Sequence, residues 1–270
     1  MNPVTGRLAG KIAVVVGAGQ TPGETIGNGR AMATLFARAG AKVVCVDRAI
    51  DRAGETVAAI TTEGGTALAM AADVRSTADV DAMIAGSVRE FGRIDIMVNN
   101  VGIGGGGDAP AHKLSEDALE LILDVNLKGA WRCIHAVLPA MRAQQGGAIV
   151  NISSLAAHAG GIQTAYEVSK AALNRLTTSV AIANARYGIR CNAVQPGLMD
   201  TPMAITGIST RRGLDPAVVR AERDARVPLK GKMGSGWDTA YAALFLASDE
   251  AAFITGAILP VDGGGGARVG

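Results

Sequence analysis

Seven short apolar runs rich in β-branched residues recur along the chain, and longer stretches with helical spacing separate most of them. This alternation constrains the fold more than any other feature. Strands are expected at Ile12–Val16, Lys42–Val46, Thr66–Ala71, Ile94–Val98, Ala148–Ile152, Ile189–Val194 and Ala257–Val261. Helices are expected over residues 29–38, 50–62, 76–91, 115–142 (with room for an interruption), 166–187 and 238–247, the third opened by a Ser76/Asp79 capping box. Strands that alternate with helices imply right-handed crossovers and an α/β fold: a doubly wound, mainly seven-stranded parallel sheet with helices on both faces.

The 270 residues suffice for one large domain and would crowd two. No linker, repeat or low-complexity segment divides the chain, so residues 1–270 are expected to form a single domain. The stretch 199–232 breaks the strand–helix rhythm and reads as an irregular lid, and Gly263–Gly266 as a flexible connection. A formal charge of +2 is too small to suggest nucleic acid. No apolar run approaches the roughly 20 residues of a spanning helix, and the apolar start is too short for a signal peptide. Cys45, Cys133 and Cys191 lie within apolar segments and read as reduced core thiols, which points to the cytoplasm. His112, His135 and His158 lie far apart without partners at ligand spacing, so no metal is expected.

Behind the first strand, Gly17-Ala18-Gly19 makes a turn, and Gly27-Asn28-Gly29 opens the next helix. A phosphate needs backbone amides and a helix N-terminus aimed at it, with no Cβ in the way, and this arrangement supplies both. Asp47 ends the second strand, where its carboxylate can accept bonds from both adenosine ribose hydroxyls and would repel a 2′-phosphate. NAD is therefore expected over NADP, with Arg48 as the counter-argument. Asp73-Val74 ends the third strand, and its carboxylate serves either the adenine or a helix cap.

Tyr166 and Lys170 stand four residues apart, on one face of an expected helix. An ammonium beside a phenol favours the phenolate and lowers its pKa. A hydroxyl from the strand ending in Ile152-Ser153-Ser154 can hold a substrate oxygen beside them.

Taken in order, these motifs resemble the short-chain dehydrogenase/reductase family in its classical, Rossmann-type form. The resemblance runs from about Leu8 to Gly264 and includes Asn99-Asn100-Val101-Gly102, Asp124-Val125-Asn126-Leu127, Asn192-Ala193-Val194-Gln195-Pro196-Gly197 and Pro260-Val261-Asp262-Gly263-Gly264. Two features depart from the pattern. Val16 replaces a threonine, and Gln20–Thr25 reads as an insertion in the glycine turn. The family's usual serine-to-tyrosine spacing selects Ser153, whereas the strand motif selects Ser154. Ser154 is preferred, because a strand shifts less readily than the loop behind it shortens.

The resemblance implies hydride transfer between a nicotinamide and a carbonyl or alcohol carbon. In that scheme Tyr166 is the general acid/base and Lys170 tunes it while holding the nicotinamide ribose. Ser154 binds the substrate oxygen, and Asn126 helps to hold a water chain or simply caps buried backbone. Asn99 and Gly102 shape the cofactor groove, while Pro196, Gly197 and Thr201 cover the nicotinamide. The expected protein is an NAD-dependent dehydrogenase of a small secondary alcohol, homotetrameric by family resemblance. The alternatives are an NADPH-dependent ketoreductase, such as a 3-oxoacyl carrier-protein reductase, and a non-catalytic nucleotide sensor. In the lid, Arg211-Arg212 is the better candidate for an anionic substrate group, and Arg220, Arg223 and Arg226 recur at helical spacing like a solvated face.

Overall fold

A computed structural model describes residues 4–267. Its main sheet has seven parallel strands: β1 (Ile12–Val16), β2 (Lys42–Asp47), β3 (Ala67–Ala71), β4 (Ile96–Asn99), β5 (Gly147–Ile152), β6 (Ile189–Pro196) and β9 (Ile258–Val261). Their spatial order is β3-β2-β1-β4-β5-β6-β9, and every pairing is parallel. The order reverses beside β1, between β1 and β4. A crevice therefore opens there at the carboxyl ends of the strands, where open α/β sheets bind ligands.

The central strands are apolar throughout because both faces are covered. One face buries Ala13, Val15, Val43, Cys45, Ile96 and Val98 beneath α1 (Asn28–Arg38), α2 (Ile50–Thr62) and α9 (Gly236–Ala247). The other buries Val14, Val16, Val44, Val46, Met97 and Ile149 beneath α3 (Thr77–Phe91), α5 (Gly129–Gln144) and α6 (Thr164–Asn184). The side chains of each strand thus divide by parity between two cores. Burial pushes the thiols of Cys45, Cys133 and Cys191 up to about 12, so they pack as apolar groups.

The helical region over residues 115–142 is interrupted, as its sequence allows: it is α4 (Glu116–Leu123), a π-turn at Asp124–Lys128, and then α5. Other sequence expectations need correction. The segment 199–232 is not irregular: it holds α7 (Pro202–Arg212) and α8 (Pro216–Asp224). Each begins with proline in its first turn, which leaves no helical N–H to satisfy there, and Asp215 caps α8 through the Ala217 amide at 2.7 Å. Short strands β7 (Met199–Asp200) and β8 (Gly234–Ser235) pair at the base of this segment and close it off. Nor is Gly263–Gly266 a loose connection. The Asp262 carboxylate accepts from the Gly264 and Gly266 amides, and the Gly263 carbonyl accepts from the Leu229 amide. At α3 the capping is one-sided: Ser76 accepts from the Asp79 amide, while the Asp79 carboxylate turns to the Asp73 amide and the Ser76 hydroxyl.

Candidate active site

The Ser154, Tyr166 and Lys170 side chains meet at the carboxyl end of β5. Ser154 follows the strand and its hydroxyl lies beside the Tyr166 phenol, close enough to lower its pKa, while accepting from the Ala156 amide at 3.2 Å. Ser153, one residue earlier, faces the opposite way. It is buried and its hydroxyl donates to the Lys170 carbonyl at 3.3 Å. The parity of an extended backbone thus separates two adjacent serines into one that faces the tyrosine and one that braces its helix.

Lys170 is 3 % exposed, and its ammonium donates to the Ile152 carbonyl at 2.9 Å. It lies 5.6 Å from the centre of the Tyr166 ring. No carboxylate accompanies it among the described residues, and burial lowers its pKa to about 8. Desolvation also raises the pKa of Tyr166, and the Ser154 hydrogen bond only partly offsets this. The expectation that Lys170 pulls the phenol below its ordinary value is not met in this geometry. The same dry surroundings penalise both charged forms, and the ammonium is engaged with a carbonyl rather than with the phenol oxygen.

The backbone around this cluster is fixed by buried polar side chains. Asn126, inside the π-turn, accepts from the Ile103 amide at 2.8 Å and donates to the Ile103 carbonyl and the Ser169 hydroxyl. The extra residue of a π-turn aims this one side chain out of the helical ladder toward the loop after β4. Ser169 in turn donates to the Tyr166 carbonyl. That loop passes close to the cluster: a Cβ on Gly102 would lie 3.1 Å from the Lys170 ammonium nitrogen, and one on Gly104 would lie 3.3 Å from the Tyr166 ring. Asn99 donates to Asn151, which donates to Thr177, forming a buried polar chain from β4 to α6.

Four supporting residues carried no signal of their role in the motifs. Asp108 accepts from the Ala165 and Tyr166 amides at 3.0 and 2.9 Å, pinning the first turn of α6 from a distant loop. Glu167 accepts from the amides of Gly161, Ile162 and Gln163 and shapes the turn before that helix. Asn100 donates to the Gly17 carbonyl at 2.9 Å. Gln20 accepts from the Gly27 amide and donates to the Thr25 carbonyl, bracing the inserted loop. Asn100 sits inside a family motif, whereas Asp108 lies in a loop with no local pattern that points to its partners.

The residues at the crevice fit a dinucleotide. The α1 N-terminus has no side-chain cap, which leaves its amides free for a phosphate. The side-chain amide oxygen of Asn28 beside it is buried without a partner among the described residues. A Cβ on Gly29 would collide with the Gly17 carbonyl, so only glycine permits this approach of turn and helix. A Cβ on Gly19 would overlap the Asp47 carboxylate, which lies at the tip of β2 and otherwise accepts from the Ala49 amide. Asp73 is held by Arg75 in an exposed pair at 2.6 Å, and its carboxyl lies below the ordinary range chiefly for that reason. Val74 is buried and packs toward Gly129. On the far side, the Gly197 amide donates to the Val261 carbonyl, and Pro196 and the buried Thr201 lead into α7.

A family model described as enoyl-(acyl carrier protein) reductase matches residues 24–265. The 2-(R)-hydroxypropyl-CoM dehydrogenase of Xanthobacter autotrophicus is 38% identical over 258 residues, covering 94% of this chain and 97% of its own. The L-rhamnose 1-dehydrogenase (NAD(P)(+)) of Azotobacter vinelandii is 40% identical over 269 residues, covering 95% and 97%. The crystal structure of levodione reductase superposes with a TM-score of 0.90 at 31% identity, covering 97% of this chain and 100% of that one. Fold and relatives together define an oxidoreductase built on a Rossmann-type sheet and served by a nicotinamide cofactor. The chain belongs to the short-chain dehydrogenase/reductase family, in its classical form.

Proposed function

We propose that the protein interconverts a secondary alcohol and a ketone with NAD as its coenzyme, using Tyr166 as the general acid/base. The observation that carries this reading is the contact of Ser154 with Tyr166 beside a buried, carboxylate-free Lys170. When bound, the nicotinamide supplies or accepts the hydride, and the protein handles the proton. Tyr166, kept protonated by its surroundings, gives its phenolic proton to the substrate oxygen in reduction and takes it back in oxidation. Ser154 donates a hydrogen bond to that oxygen and stabilises its developing charge. Lys170, ionised at neutral pH with a pKa of about 8, holds the nicotinamide ribose and places its positive charge 5.6 Å from the centre of the Tyr166 ring. Asn126, with its side-chain amide committed to Ile103 and Ser169, keeps the loop after β4 in register with α6.

Gly17, Gly19 and Gly27–Gly29 would hold the pyrophosphate, with Asp47 on the adenosine ribose and Asp73-Val74 flanking the adenine. Asn99 and Gly102 would line the groove, while Pro196, Gly197 and Thr201 would cover the nicotinamide. The position of Asp47 behind Gly19 favours NAD, because a 2′-phosphate would meet its carboxylate. The chain works as a single dinucleotide-binding domain, with residues 199–232 as its lid. It is proposed to be cytoplasmic and homotetrameric. Among the described residues no helix is long and apolar enough to cross a membrane. The exposed Leu121, Trp131, Val168 and Ile182 on α4–α6 supply apolar surface for twofold contacts.

A panel of secondary alcohols offered with NAD and with NADP, followed at the nicotinamide absorbance, tests the reading. NAD should give the higher kcat/KM, and Asp47→Ala should narrow the gap by removing both the ribose bonds and the repulsion. A wild-type preference for NADP would mean that Arg48 governs the pocket, as in the ketoreductase alternative.

A further inference from the structure

The lid carries five arginines, and the structure sorts them. Arg212 pairs with Glu222. Arg220 bridges Glu24 at 3.0 Å and Asp200 at 3.2 Å. Arg223 is drawn inward and donates to the Met199 carbonyl. Arg226 is exposed and makes no ion pair among the described residues. Arg211 also has no carboxylate partner among the described residues, but its position differs. Its guanidinium lies against Gly105, close enough that a Cβ there would collide with it. The preceding residue, Gly104, packs on the Tyr166 ring. One peptide unit of the loop after β4 therefore separates the residue touching Arg211 from the residue touching Tyr166.

The carboxylates nearest this loop are already engaged. Both oxygens of Asp108 accept backbone amides at the start of α6, and one oxygen of Glu167 accepts three more. Gln163 has an amide group near Gly104 and no described side-chain partner. The inserted glycine loop fixes the lid that carries Arg211. Gly23 packs on Pro202 at the head of α7, Thr25 bonds Asp200, and Glu24 meets Arg220. An accessible guanidinium is thus held over the rim of the site, with no acid to neutralise it.

We propose that Arg211 is the specificity residue of this site and that the substrate is a hydroxy acid whose carboxylate it binds. This rests on the dehydrogenase reading above. A guanidinium presents paired donors that match a carboxylate fork, and a neutral alcohol offers nothing to use them. Arg211 makes no described bond to the last carbonyls of α7, so it is not serving as that helix's own cap.

The test is initial-rate kinetics with NAD on short α-, β- and γ-hydroxy acids, each beside its methyl ester, which keeps the skeleton and removes the charge. The wild type should prefer one acid to its ester. Arg211→Met should lower that acid-to-ester ratio of kcat/KM by about 10- to 100-fold, the range for hydrogen bonds to a charged group. The change should fall mainly on KM, and Arg211→Lys should restore part of the ratio. Arg226→Met should leave the ratio where it was. Equal use of acid and ester by the wild type, oxidation of neutral alcohols alone, or a ratio that Arg211→Met does not move would each overturn the proposal. Failure to reduce NAD with any alcohol would instead sink the dehydrogenase reading, and this inference with it.

Discussion

The two walls of the site are built differently. On the Tyr166 side, polar side chains are bonded to backbone: the buried Asn126 to Ile103, Lys170 to Ile152 and Ser153 to Lys170, and the partly buried Asp108 to the first turn of α6. On the lid side, contacts run between charged side chains that water also reaches. Glu24 is 80% exposed in its pair with Arg220, and Arg212 and Glu222 are each 47% exposed. A buried bond to backbone is costly to leave unmade, whereas an exposed ion pair contributes about 1 kcal/mol or less. The first wall is suited to hold reacting atoms in one place, and the second is tied to the inserted loop by weaker contacts that can be changed without disturbing the first.

Substitutions can break this contrast, and, Tyr166 itself aside, the largest effect is expected at the serines. Ser154→Ala should lower kcat by roughly 10²–10³-fold, as loss of an oxyanion donor does, with about 1 kcal/mol of stability lost because the hydroxyl also accepts from the Ala156 amide. Ser153→Ala should act on stability alone. It removes a buried hydrogen bond to the Lys170 carbonyl, which keeps its helical donor, costing about 1 kcal/mol of stability, with kcat within a few-fold of wild type. Thermal unfolding and steady-state kinetics on the two variants read both axes. The opposite order of kcat would place Ser153 at the substrate oxygen.

Lys170 gives the next effect, on stability. Its folded pKa of about 8 lies below the ordinary 10.5, so below pH 8 the fold carries a buried charge that the unfolded chain holds in water. Each pH unit between those two values corresponds to about 1.4 kcal/mol of penalty, which fades as pH rises from about 8 to 10.5. Lys170→Met should therefore be catalytically crippled yet raise the melting temperature at pH 7, with the gain shrinking toward pH 10.5. A lower melting temperature at pH 7 would show that the bond to Ile152 outweighs the desolvation.

The smallest effect belongs to the lid. Arg220→Met removes both ion pairs and should change KM by a few-fold, with little change in kcat and about 1 kcal/mol or less in stability. Loss of kcat as severe as that of Ser154→Ala would mean that the lid shares in positioning the reacting atoms.

The legible part of the molecule follows the same division. The sheet was readable because its strands are apolar throughout, and the Tyr166–Lys170 spacing because four residues make about one helical turn. Matching Ser154 to the strand motif also used only local order. Asp108 was beyond reach, since its partners lie 57 and 58 residues away and any acid in a loop has the same appearance. The role of the Gln20–Thr25 insertion was hidden for the same reason: its contacts are with Asp200, Pro202 and Arg220. The lid helices were a different kind of miss. Pro202, Asp215, Pro216 and Gly213, which ends α7 in a left-handed turn, are local start and stop signals, overshadowed by the polar composition around them.

Proton transfer by Tyr166 can be tested with one substitution. Turnover of Tyr166→Phe should be measured at saturating alcohol and NAD, together with coenzyme binding. The ring remains and the proton does not, so binding should persist while kcat falls by about 10²–10⁴-fold. Near-normal turnover by this variant would contradict the claim.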